Sequence, residues 1–162
     1  MPRPATLAAP LILALAAAAV PATAGSRLTL DFPDAPERLQ PVPGGVGVTR
    51  FSMLDAIGIE GVAGAARLVI EIALPPDAVP GTAPLDARVT YRPDGFRDFW
   101  QTTEVPPPGA IVLTEVALRG PAARIRGRFR VLLCRRASVM VPADSGDCHP
   151  AEGVFDTHLQ ID

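Results

Sequence analysis

The chain has 162 residues, 15 of them basic and 17 acidic, for a formal net charge of −2. That balance lacks the positive excess of a nucleic-acid binder and the charge block of an acidic tail, and the length suits one domain with a self-sufficient core. Every basic residue is arginine, which together with the abundance of Ala, Pro and Gly reflects the codon usage of a GC-rich bacterial genome.

Residues 1–24 read as a Sec-type signal peptide. Arg3 supplies the positive start, Leu7 to Val20 an apolar run too short to span a bilayer, and Ala22-Thr23-Ala24 the small-x-small cleavage pattern. Cleavage there leaves residues 25–162, 138 residues with a formal charge of −3, as a single domain. No Cys stands at the cleavage point, so no lipid anchor is expected, and no second long apolar run follows, so no transmembrane segment is expected after cleavage. The expected location is periplasmic or secreted. Cys134 and Cys148 both fall in the exported part, and an even count in an oxidising compartment reads as one disulfide. A Cys148-His149 nucleophile pair is the alternative, but neighbours on an extended chain point in opposite directions.

Period-two alternation then recurs along the mature chain. Leu28, Leu30 and Phe32 alternate with Arg27, Thr29 and Asp31; Leu68, Ile70, Ile72 and Leu74 with Arg67, Val69, Glu71 and Ala73; Ala87, Val89 and Tyr91 with Asp86, Arg88 and Thr90. Val112, Val116 and Leu118 share a face with Thr114. Ile125, Phe129, Val131 and Leu133 alternate with Arg124, Arg126, Arg128 and Arg130, and Phe155, Leu159 and Ile161 share the last face. Turn-rich stretches at 33–45, 75–84, 93–95, 106–109 and 120–121 punctuate these runs. The pattern predicts an all-β fold: one antiparallel β-sandwich of seven or eight strands, Ig-like or jelly-roll-like, with one disulfide.

Two segments are ambiguous. Val46 to Gly61 reads either as strand or as a short helix capped by Ser52, with Asp55 three residues on. Phe96 to Thr102 reads as an aromatic-rich strand. Near the C-terminus, Gly127-x-Phe129 and Gly153-x-Phe155 share a pattern in which each glycine admits a partner strand or ring while each phenylalanine enters the core.

Two constellations offer a ligand surface. Arg124, Arg126, Arg128 and Arg130 project from one strand face over about 20 Å, a grip for a polyanion. The alternative is a solvated face neutralised by Glu71, Glu115 and Asp156. Tyr91, Phe96, Phe99 and Trp100 surround Pro93-Asp94-Gly95, either as a sugar-stacking platform rimmed by Arg92, Asp98 and Gln101 or as a core plug. Alternation forbids burying Phe99 and Trp100 on one face.

His149, His158, Met53 and Met140 match no ligand spacing, and Asp144, Ser145 and Asp147 read as an Asx-type turn rather than a calcium loop. No nucleophile elbow, zinc-protease helix, phosphate loop or dinucleotide fingerprint occurs, and no residue pattern calls for a cofactor. The expectation is an exported, non-catalytic binding or structural module that recognises a ligand or protein partner in the cell envelope. The alternatives are a small hydrolase with a carboxylate pair and a His/Met metal-handling protein.

Overall fold

The alternation becomes ten strands in a computed structural model that describes residues 25–94 and 98–161. They are β1 (Arg27–Thr29), β2 (Arg38–Arg50), β3 (Asp55–Ala63), β4 (Ala66–Leu74), β5 (Asp86–Arg92), β6 (Phe99–Gln101), β7 (Ile111–Ala117), β8 (Arg124–Arg136), β9 (Cys148–His158) and β10 (Gln160–Ile161). No helix occurs among the described residues. The signal segment 1–24 and Phe96 of the aromatic cluster lie outside the described residues, as does the side chain of Ile161.

All ten strands belong to one sheet, ordered β1-β9-β8-β6-β5-β4-β3-β2-β10, with β7 beside β8. β1 pairs with both β9 and β2, so eight of the strands form a closed hydrogen-bonded circuit. Every pairing is antiparallel except β10 on β2. Closure leaves no long unpaired strand in the circuit, the feature that otherwise invites edge-to-edge association. β1 is the keystone: Leu28 lies opposite Leu39 on one side and Phe155 on the other.

Inward positions from the whole circuit form one apolar cluster, in which Ile59, Leu68, Ile70, Leu74, Val89, Ile125, Leu133 and Phe155 are fully buried. Each such side chain contributes roughly 1.5–3 kcal/mol by leaving water. The Gly-x-Phe pattern closes reciprocally. Gly127 lies opposite Phe155 and Phe129 opposite Gly153, and each ring covers the glycine across from it.

One ambiguity resolves and two expectations change. Val46–Gly61 takes the strand alternative and contains no helix; it is the end of β2, a turn over 51–54 in which the Phe51 amide donates to the Leu54 carbonyl, and most of β3. The backbone groups a helix would use internally are taken by the β2–β3 and β3–β4 ladders. The turn-rich stretch 33–45 is largely strand. β2 carries Pro41, Pro43 and Gly44 through an irregularity in which pairing jumps from Pro41–Gly61 to Val46–Ile59, and a bulge is where a strand tolerates proline. In β7, Ile111 and Leu113 face inward and Val112 does not, because a register shift between Leu113 and Glu115 reverses the alternation before Val116.

The Cys134–Cys148 disulfide links directly opposed residues of β8 and β9. It marks one end of the circuit, which also carries the loops 30–37 and 137–147 and the described residues Pro93, Asp94 and Asp98 between β5 and β6. The opposite end carries the turns 51–54 and 118–123 and the loop 75–85.

Candidate functional site

β8 projects Arg124, Arg126, Arg128 and Arg130 outward, as its alternation requires. Its neighbours decide what each one is free to do. Asp156 of β9 receives Arg124 on one carboxylate oxygen (2.7 Å) and Arg126 on the other (2.8–2.9 Å). Glu115 of β7 stands 3.8–3.9 Å from both guanidinium groups. Burial alone raises the Asp156 carboxyl; hydrogen bonds and charge from Arg124 and Arg126 outweigh it and hold the group below the usual carboxylate range. Arg130 forks onto Glu152 at 2.7 and 3.1 Å, and the hydrogen bond and charge of that carboxylate raise the guanidinium pKa against a smaller effect of burial. Glu115 and Asp156 therefore act as the acidic neighbours expected from the sequence, whereas Glu71 lies on β4 opposite Arg88, and Glu152 takes its place.

Arg128 is different. It is exposed, its cross-strand neighbours are Val112 and Val154, and it has no ion pair or side-chain hydrogen bond among the described residues. It lines an open groove of about 820 Å³ over the outer face of β1, β9 and β8, bounded by 109–110 on one side and the segment after β1 on the other. Arg27, Asp31 and Glu37 line the same groove, and none has an ionic partner among the described residues. Sequence reasoning missed these three as site residues because Arg27 and Asp31 reach β9 only through closure of the circuit, and Glu37 lines the groove from the segment after β1. The signal was present in the outward positions of the first alternation, Arg27, Thr29 and Asp31.

The aromatic cluster divides as alternation demands. Tyr91 and Trp100 lie opposite one another on the inner side of β5 and β6. Trp100 is half-buried with Phe32 and His149 each 5.2 Å from its ring in edge contacts, and Phe32 also meets Tyr91 at 5.5 Å. Burial, with a smaller contribution from Asp34, raises the Tyr91 phenol above its ordinary value. Phe99 faces outward, yet it is buried because Arg92 and Arg136 stack over its ring at 5.5 and 5.6 Å. Asp98 holds Arg135 at 3.1 Å, and Arg136 also donates to the carbonyls of Val139 and Val141, tying down the loop after β8. The Phe99 ring is thus covered by guanidinium groups, and the rim groups Asp98 and Gln101 are engaged by Arg135 and Arg136.

His149 and His158 stand near opposite ends of β9, Met53 in the β2–β3 turn and Met140 in the β8–β9 loop. No three His, Cys, Asp or Glu side chains converge on a metal position among the described residues. Asp144 accepts the Gly146 amide at 2.9 Å, the Asx turn expected there. No helix among the described residues is long and apolar enough to cross a membrane.

Comparison with protein-family models, with curated proteins and with solved structures gives no match.

Proposed function

We propose that this chain is an exported, non-catalytic binding module of the cell envelope, periplasmic or secreted, which recognises an anionic group of its ligand or partner in the β1–β9–β8 groove. One observation carries the reading. Of the four arginines in the outward row 124–130 of β8, three are neutralised by carboxylates, and the fourth, Arg128, stands exposed and unpaired in the groove with Arg27. An unpaired guanidinium presents a fork of donors matched to a carboxylate, phosphate or sulfate. The signal pattern of residues 1–24 and the disulfide support the location.

The groove also holds adjacent carboxylates, Asp31 and Glu152, the nearest counterpart to a hydrolase pair. They project side by side from one sheet face, and Glu152 is committed to Arg130. Glycoside cleavage needs carboxyl groups flanking the scissile bond, so this arrangement favours binding over catalysis.

The test uses the mature chain beginning at Gly25 on a heparin-like resin. Wild type is expected to be retained at low salt and released as ionic strength rises. Arg128→Glu is expected to flow through, while Arg88→Glu, on a different part of the sheet, remains bound. Equal retention of Arg128→Glu and wild type refutes the assignment. Sequencing the exported protein checks the location, with Gly25 as the expected first residue.

A further inference from the structure

The register of β8, β9 and β1 arranges the outer face into three rows. Arg126, Asp156 and Arg27 form the first, Arg128 and Val154 stand in the second beside the Thr29 hydroxyl, and Arg130, Glu152 and Asp31 form the third. Successive rows are two residues apart along a strand, so the first and third lie roughly 13 Å from one another. In the first row Asp156 is consumed by Arg124 and Arg126, which leaves Arg27 over. In the third, Glu152 is consumed by Arg130, which leaves Asp31 over, with Glu37 lining the groove on the same side. The unpaired charges are therefore graded along the groove: Arg27 in the first row, Arg128 in the middle one, and Asp31 in the third, with Glu37 on that side.

Resting on the groove reading above, we infer that the occupant is an extended polypeptide segment carrying one acidic and one basic side chain four positions apart. Charge complementarity sets the pair of signs. The spacing sets the chain: in an extended peptide, residues i and i+4 project to the same side and are separated by about 13 Å, the distance between the rows. The acidic side chain is received by Arg27 in the first row, with Arg128 in the row beside it, and the basic one by Asp31 and Glu37. A small zwitterion such as phosphoethanolamine, with its charges only a few bonds apart, spans at most adjacent rows and does not join Arg27 to Asp31.

The experiment follows backbone amide shifts of the mature protein during titration with three capped peptides. They are Glu-Ser-Gly-Ser-Lys, Glu-Ser-Gly-Ser-Glu and Lys-Ser-Gly-Ser-Lys, with phosphoethanolamine as a fourth ligand. The mixed peptide is expected to shift amides of β1, β8 and β9 and to bind about tenfold more tightly than either like-charged peptide, the scale of one charge-assisted hydrogen bond replacing a repulsive pair. In the double variant Asp31→Lys with Glu37→Lys, preference is expected to pass to the doubly acidic peptide. If wild type binds the doubly acidic peptide at least as tightly as the mixed one, the dipolar assignment is overturned. The anion-site reading then stands if Arg128→Glu abolishes that binding, and falls with it if Arg128→Glu does not. Saturation by phosphoethanolamine at the same amides without response to the mixed peptide overturns the peptide occupant. Silence of the groove toward every ligand overturns both readings.

Discussion

Replacing Gly153 by Ala tests whether the Phe–Gly pairing and the β1 keystone hold the circuit closed. A Cβ at 153 falls 2.5 and 2.6 Å from Phe129 ring carbons and inside any permitted distance of the Thr29 carbonyl oxygen. The ring can rotate only into a packed core, and the carbonyl can retreat only by moving β1, which is held by two register pairs on each side. Overpacking of this kind costs about 1–3 kcal/mol; backbone on one side and a buried ring on the other place Gly153→Ala near 3 kcal/mol. For a domain of this size that lowers Tm by roughly 10 °C. Gly127→Ala meets the Phe155 ring at 2.5 Å and the Val112 carbonyl at 2.6 Å, and about 2–3 kcal/mol is expected. Gly58 is the control: a Cβ there meets nothing within 4 Å, and its φ is not in the left-handed region. Gly58→Ala is expected to be neutral or to stabilise by up to about 1 kcal/mol, since glycine is the less favourable strand residue. Urea unfolding of the mature protein measures all three. A Gly153→Ala midpoint matching wild type, or a Gly58→Ala loss equal to that of Gly153→Ala, refutes the reasoning.

Trp100→Ala removes the ring between Phe32 and His149 and is expected to cost about 3 kcal/mol in the same assay; an undiminished midpoint would show that the indole is free for a ligand. Replacing Cys134 and Cys148 together by Ser opens a loop of sequence separation 14 and is expected to cost about 3 kcal/mol, while free thiols titratable in native protein would contradict the bond itself. The Asp156 carboxyl is held below its ordinary range when folded. Its contribution is therefore present above the unfolded-state value and is lost as pH falls through the folded one. Asp156→Asn is expected to lower stability at neutral pH and to flatten the acid limb of the stability–pH curve; an unchanged limb would refute the role assigned to the Arg124–Asp156–Arg126 cluster.

The all-β class, the inward and outward faces of β1, β4, β5 and β8, the Cys134–Cys148 bond and the Gly-x-Phe pattern with its two core phenylalanines were legible in the sequence. Each rests on a local rule: period-two alternation, cysteine parity, or a glycine two residues before a ring. The arginine row was legible for the same reason, because four alternate positions of one strand must share a face. Its meaning was not. Whether a guanidinium is neutralised depends on which carboxylate stands across the ladder, and register is a property of paired strands rather than of either strand alone. Register put Asp156 and Glu152 opposite Arg126 and Arg130, and Val154 opposite Arg128. The bulge in β7 was invisible for a related reason: skipping one residue is decided by the partner strand, so Val112 and Val116 read as equivalent until β8 was beside them. Closure through β1 was equally beyond reach. The three residues of β1 join the strand that directly follows them to one more than a hundred residues later, bringing Arg27 and Asp31 alongside β9. The sequence by itself determined which side chains of the regular strands β1, β4, β5 and β8 face out; the tertiary structure alone decided which of those charges are left without a partner, because charge neutralisation acts through space at a few ångströms and not along the chain.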